Sequence, residues 1–219
     1  MFNLPERTLC NKKIPKSKFY EKLEAGTKLK NLFIAQIDQV IWKHKLSKET
    51  INLEPAGDIA EIQIFELYVK QREFSKDILE SIDKFIPYPI LHVLIYNNEV
   101  KFAMAYKLKN QNNENRSIVQ VYYESEWKPI SRASMTLISG LDLKAVYENI
   151  IRNLMSIKPL NQEKLEETVA RQAQIEAIDK EIRKLEAKIK NEKQFNIKVS
   201  LNIELQKKLK EVDRLQKFL

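Results

Sequence analysis

Ile90-Leu91-His92-Val93-Leu94-Ile95-Tyr96, then Asn97-Asn98, then Val100-Lys101-Phe102-Ala103-Met104-Ala105-Tyr106 is the stretch that decides the fold. The first run is apolar but for His92, as a strand buried on both faces should be. The asparagine pair turns the chain, and the second run is the return strand of a hairpin.

Upstream, residues 59–69 set Ile62, Ile64, Glu66 and Tyr68 in alternation with Glu61, Gln63, Phe65 and Leu67, which reads as another strand. Between them, 75–85 carries Ile78, Leu79, Ile82 and Phe85 at helical spacing. Ser75 is its candidate N-cap, and Pro87 and Pro89 end it. Residues 28–44 hold Leu29, Leu32, Phe33, Ile37, Val40 and Ile41 three and four apart, which predicts an amphipathic helix. Residues 17–25 predict a short helix ending near Gly26, after an extended lead-in containing Pro5 and Pro15. Downstream, the asparagine-rich 107–115 reads as an exposed loop, 117–127 as a strand and 143–155 as a helix. The expected class is α+β: a small mixed or antiparallel sheet of about four strands with flanking helices, over residues 1–158.

Residues 159–219 are different. After Pro159 there is no proline or glycine. Ile175, Ile178, Ile182, Leu185 and Ile189 step by three and four, the a/d seam of a coiled coil. Leu201, Leu205, Leu209 and Val212 form a second stripe in another register. The alternating stretch 195–203 interrupts the pattern between them. The segment is expected to be one long helix or a helical hairpin turning near 191–198. Its stripes need a partner face: its own second helix, a second copy or another protein.

Composition narrows the chemistry. Three glycines are too few for a Gly-rich phosphate loop, and one cysteine allows no internal disulfide. No apolar run approaches the roughly 18–20 residues that span a bilayer. A cytoplasmic protein with no membrane association is expected. The formal charge of +8 permits a nucleic-acid or acidic-protein partner, but it is spread along the chain. Two histidines and one cysteine make a poor metal kit, so no metal and no cofactor are expected. His92 reads as a core histidine, and His44 as lying at a helix end. Cys10 falls in the lead-in beside Lys12 and Lys13, whose charges could lower its pKa.

Two weak constellations remain. Glu124 and Glu126 would share one strand face, and with Glu61 or Glu66 they could form a carboxylate site for a divalent ion. Tyr123 and Trp127 beside Lys128 and Arg132 could stack and neutralise a single nucleic-acid strand.

Several stretches together carry a resemblance. They are Ile14-Pro15-Lys16-Ser17-Lys18-Phe19-Tyr20, Ile41-Trp42-Lys43-His44-Lys45-Leu46-Ser47, Glu61-Ile62-Gln63-Ile64-Phe65-Glu66 and Ile86-Pro87-Tyr88-Pro89-Ile90-Leu91. Tyr122-Tyr123-Glu124-Ser125-Glu126-Trp127 and Glu192-Lys193-Gln194-Phe195-Asn196-Ile197-Lys198-Val199 complete the set. In this order, over nearly the whole length, the chain resembles the bacterial family described as domain of unknown function 4391. The resemblance carries no catalytic residue. It implies a setting near DNA methyltransferases and helicases of restriction or phage-defence type. The expectation is a non-enzymatic accessory subunit docking through its C-terminal coil to a protein partner, such as a helicase or methyltransferase, or to a second copy. The alternative is a divergent metal-dependent nuclease or a nucleic-acid-binding module.

Overall fold

A computed structural model describes residues 2–20, 27–109 and 117–216. The chain divides into two compact units, Met1–Met155 and Ser156–Leu219.

The first unit is a mixed α+β domain. Its strands are β1 (Leu9–Ile14), β2 (Ile37–Ser47), β3 (Glu61–Val69), β4 (Ile90–Tyr96), β5 (Glu99–Lys109), β6 (Ser117–Glu124) and the short β7 (Lys128–Pro129). They form a seven-stranded sheet in the order β1-β2-β3-β4-β5-β6, with β7 pairing the start of β5. Only β3 and β4 run parallel in this sheet, because helix α4 (Lys76–Phe85) carries the chain across between them. Ser75 caps α4 by accepting from the Asp77 N–H.

The sheet is larger than the four strands expected: β1 and β2 are added at its N-terminal edge and the short β7 beside β5. Residues 28–44 are not one helix. Helix α2 (Thr27–Gln36) stops at Gln36, and β2 begins at Ile37. The physical reason is bulging. Ile37 stands opposite Val69 but Gln39 opposite Tyr68, and Trp42 faces Phe65 while His44 faces Ile64. At each place β2 advances two residues while β3 advances one. The extra residue puts Ile37 and Val40 three apart on the same side, which imitates helical spacing. The lead-in is also partly strand: Lys12 to Ile14 pair with Trp42 to Val40. Its lysines suit an edge strand, where charge discourages pairing with a further chain. Of the short helix expected over 17–25, α1 (Ser17–Tyr20) is observed, and the remainder lies outside the described residues. Of the loop expected over 107–115, residues 107–109 belong instead to β5, and the remainder lies outside the described residues.

Both faces of the sheet are covered. On one, Phe65, Leu67, Leu94 and Ala103 pack against Phe19 of α1, Phe33 of α2 and Ile78, Leu79 and Ile82 of α4. Helix α5 (Leu143–Leu154) packs on β3, β5 and β6. Its Tyr147 hydroxyl donates to the Ala105 carbonyl (3.2 Å) and accepts from the Lys107 N–H (3.0 Å).

The second unit contains two antiparallel helices, α6 (Leu165–Asn191) and α7 (Phe195–Gln216). The Glu192 carboxylate accepts the N–H groups of Lys193 and Gln194 (2.8 Å each), which stabilises the connection. Among the described residues, no helix is long and apolar enough to cross a membrane.

Candidate functional site

The centre of the first unit holds a charged cluster that no single stretch of sequence displays. Asp83 lies near the C-terminal end of α4, a position the helix dipole disfavours for an anion. His92 on β4 contributes Nε2 at 2.9 Å from Asp83 Oδ2, and the Tyr122 hydroxyl of β6 donates to the same oxygen at 2.5 Å. Lys107 of β5 places Nζ 2.8 Å from Asp83 Oδ1. The same ammonium donates to the carbonyls of Ile86 (3.0 Å) and Tyr88 (2.7 Å), just past the end of α4. One cation thus neutralises the aspartate and satisfies carbonyls that the helix leaves free.

Burial would raise the Asp83 carboxyl, but the neighbouring His92 and Lys107 outweigh it and hold it below its ordinary value. Burial pulls the Lys107 ammonium down, against the attraction of Asp83. Burial and the adjacent carboxylate push the Tyr122 phenol up. Asp83 and His92 have no exposed surface, and among the described residues His92 Nδ1 has no partner. No substrate can reach groups sealed in this way, so the cluster is a structural network that ties α4 to three strands.

The carboxylates considered for an ion are held apart. Glu61 and Glu66 project from opposite faces of β3, because residues an odd number apart on a regular strand do so. Glu61 pairs with Lys45 at 2.8 Å, and Glu66 lies 3.4 Å from Lys43. Glu124 sits between Lys76 (2.6 Å) and Lys101 (2.5 Å), and Glu126 lies past the end of β6 and exposed. Among the described residues, no group of three His, Cys, Asp or Glu could hold a metal ion. Each carboxylate already has its cation or open solvent, so the set does not form one site.

The aromatic and basic residues divide as well. Tyr123 is only 4% exposed, so its ring offers no stacking surface. Trp127 packs on the core, edge-on to Tyr96 with ring centroids 6.5 Å apart. Lys128 and Arg132, however, line one cleft of about 370 Å³, which Ser134, Thr136 and Asn153 share. His44 is in β2 rather than at a helix end, with Nδ1 2.9 Å from the Thr8 hydroxyl. Cys10 is in β1, where burial outweighs Lys12 and Lys45 and raises the thiol pKa, opposite to the expectation.

The second unit carries a different kind of surface. Ile175, Ile178, Ile182 and Leu185 of α6 are buried and Ile189 is half-buried. Leu201, Leu205 and Val212 of α7 are half-buried, and Leu209 is 41% exposed. No residue of α7 is fully buried. The turn between the helices falls at residues 192–194, within the 191–198 expected for a hairpin, and residues 195–203, which break the apolar pattern, begin α7. In a helix, residues two apart lie about 200° apart, so an alternating run scatters its apolar groups around the axis. Leu201 takes the side of Leu205 and Val212. Phe195, Val199 and Ile203, spaced by four, form a second face. Phe195 is 78% and Ile203 54% exposed.

At the hairpin's open end, Arg171 is a latch. Its guanidinium donates to both Glu163 carboxylate oxygens (2.8 Å each), to the Lys158 carbonyl (2.7 Å) and to the Leu215 carbonyl of α7 (2.9 Å). Further along, Lys208 pairs with Glu181 at 2.8 Å.

Fold and surfaces together define a mixed-sheet α+β domain followed by a helical pair. The chain belongs to the family described as domain of unknown function (DUF4391), whose profile matches residues 2–212. No curated protein and no solved structure matches it significantly.

Proposed function

We propose that this protein is a non-enzymatic interaction subunit that docks a protein partner through its C-terminal helices. One observation carries the reading. Helix α7 has two apolar faces, and pairing with α6 uses one of them. The other, Phe195, Val199 and Ile203, is a helix face at the spacing that fits a groove or a partner helix. The coiled-coil contacts inferred for residues 159–219 are then intermolecular as well as internal. A helicase or DNA methyltransferase of a restriction or phage-defence system is the partner class that the family resemblance implies, and the reading places the protein in the cytoplasm.

The test compares the full chain with Val199→Asp/Ile203→Asp, which leaves the face toward α6 intact. Recovery of a specific partner from the native host should be lost in the variant while helix content is unchanged. Equal recovery from both proteins would refute the reading.

A second reading has support from the cleft that Lys128 and Arg132 share. Two cations beside hydroxyl and amide groups suit a phosphate backbone. A labelled single-stranded oligonucleotide should then bind with an affinity that falls steeply with salt. Affinity unchanged by Lys128→Ala/Arg132→Ala would exclude it.

A further inference from the structure

The face of the sheet that α1 and α4 cover contains a pocket at its β2–β3 end, formed wholly within the first unit. Its volume is about 280 Å³, at the lower edge of the roughly 300–1,000 Å³ usual for small-molecule sites. The walls are mainly apolar and aromatic: Phe19 of α1, Trp42 of β2, Phe65 of β3, Phe85 at the end of α4, and Ile86 and Tyr88 beyond it. Phe19 and Phe65 are buried, but Trp42, Phe85 and Ile86 are only half-buried and Tyr88 is 38% exposed. Apolar surface left open in a concavity is the usual mark of a site that something covers.

The charged groups at this pocket are open to solvent and unbalanced in sign. Lys45 and Glu61 both line it and pair at 2.8 Å, so that carboxylate is neutralised. Lys18 of α1 also lines it, is exposed, and among the described residues meets no carboxylate. Lys12 of β1 stands opposite Trp42 in the ladder and holds its ammonium 5.7 Å from the centre of the indole ring. It too meets no carboxylate among the described residues. One cation in the lining and a second beside one of its aromatic rings thus lack a counter-ion. An aromatic hollow alone would suit an uncharged ligand; the uncompensated cations add a demand for negative charge.

We infer that this pocket binds a monocarboxylate with a compact apolar body, the body against the aromatic walls and the carboxylate at the rim beside Lys18. Removal of the apolar body from water supplies most of the affinity. An exposed ion pair adds only a few-fold, so the cations chiefly orient the ligand and disfavour analogues without negative charge. The volume limits the body to a single ring or a short acyl chain. An aryl and an acyl carboxylate are two sources of this one chemistry.

The test titrates the full chain with phenylacetate and hexanoate, and with phenylacetamide and hexanamide, which keep the shape and lose the charge. Calorimetry and ligand-observed NMR read the binding. Saturable binding of at least one acid is expected, several-fold tighter than its amide, and the tighter acid tells ring from chain. Lys18→Met should weaken that acid about three- to fivefold, the contribution of an exposed ion pair, and leave its amide unchanged. Lys13→Met removes a cation from β1 outside the pocket lining and should change neither affinity. Both lysines are exposed, so the melting temperature should stay that of the unaltered chain in each variant. No saturable binding of either acid, amides that bind as tightly as their acids, or a Lys18→Met effect no larger than that of Lys13→Met overturns the proposal.

Discussion

Replacing Arg171 by methionine should release α7 from α6 while the first unit stays folded. The guanidinium makes one direct bond to α7, to the Leu215 carbonyl at 2.9 Å, and that bond is charge-assisted. Hydrogen bonds to charged groups contribute about 1.5–3 kcal/mol. The rest of the interface cannot absorb the loss. No α7 residue is fully buried, and Leu201, Leu205 and Val212 are covered on one side alone. A methionine fills much of the arginine's volume, so the change reads the lost bonds rather than a cavity. At about 1.4 kcal/mol per factor of ten, opening of α7 should become roughly ten to a hundred times more frequent. Hydrogen exchange measured by mass spectrometry reports this directly, because amides that exchange through local opening speed up in proportion to the open population. Peptides from 201–215 should exchange faster by that factor, while peptides from β4 and α5 keep their protection. Unchanged protection over 201–215 would show that Arg171 does not hold α7 and would refute the latch.

Glu163 gives a pH counterpart. Its bonds from Arg171, more than any other influence, hold its pKa down to about 2 from an ordinary 4.5. A depressed acid stabilises the fold fully above its ordinary value and loses that contribution as the pH falls through about 2. Thermal melts of the second unit between pH 6 and pH 2 should show this fall, and Glu163→Gln should flatten it. In the first unit, Lys107→Met leaves Asp83 buried without its cation and should cost about 3–5 kcal/mol. Adding Asp83→Asn should restore part of that in urea titration, and strictly additive losses would argue against the pairing. Gly140 has φ +134°, and a Cβ there would lie 2.6 Å from the Ala145 Cβ. Gly140→Ala should therefore destabilise the first unit by about 1–3 kcal/mol in the same assay.

What the sequence shows depends on whether a pattern runs uninterrupted. Helices α4 and α5 and the β4–β5 hairpin are legible because their apolar spacing keeps one period throughout, and Ser75 and Asn97-Asn98 mark where the chain starts a helix or turns. Strand β2 is not, because its two bulges turn a period of two into spacings of three. Strand β1 is hidden by its own edge position, where lysines and an asparagine at φ 47° occupy the ladder. The alternating run 195–203 looks like a break and is instead a helix with two apolar faces. Asp83, His92, Lys107 and Tyr122 cannot be grouped from sequence, since Asp83 is separated from its partners by 9, 24 and 39 residues. A signal does exist: Asp83 interrupts the apolar stripe of α4 just after Ile78, Leu79 and Ile82, as His92 interrupts β4. Two polar residues inside adjacent apolar stripes are expensive to bury alone, so each implies the other as a partner.

The sealed cluster borders an open pocket of about 280 Å³ at the β2–β3 end of the sheet, lined by Trp42, Gln63 and Phe65 among others. Lys107 reaches past Asp83 to the carbonyls of Ile86 and Tyr88, and both residues line the cavity that contains Trp42 and Gln63. Phe85, also in that wall, is the last residue of the helix to which Asp83 belongs. Residues 86–89 contain two prolines and have few backbone donors of their own, so the ammonium is what fixes the path of the chain between α4 and β4. A charged network in a core is a poor way to gain stability, because desolvation offsets most of the attraction. Its advantage is directional: three strands and one helix end are held in a single arrangement that an apolar core would leave free to slide. The cost of burying Asp83 is then a cost of fixing the pocket wall, and loss of Lys107 should loosen that wall before it unfolds the sheet.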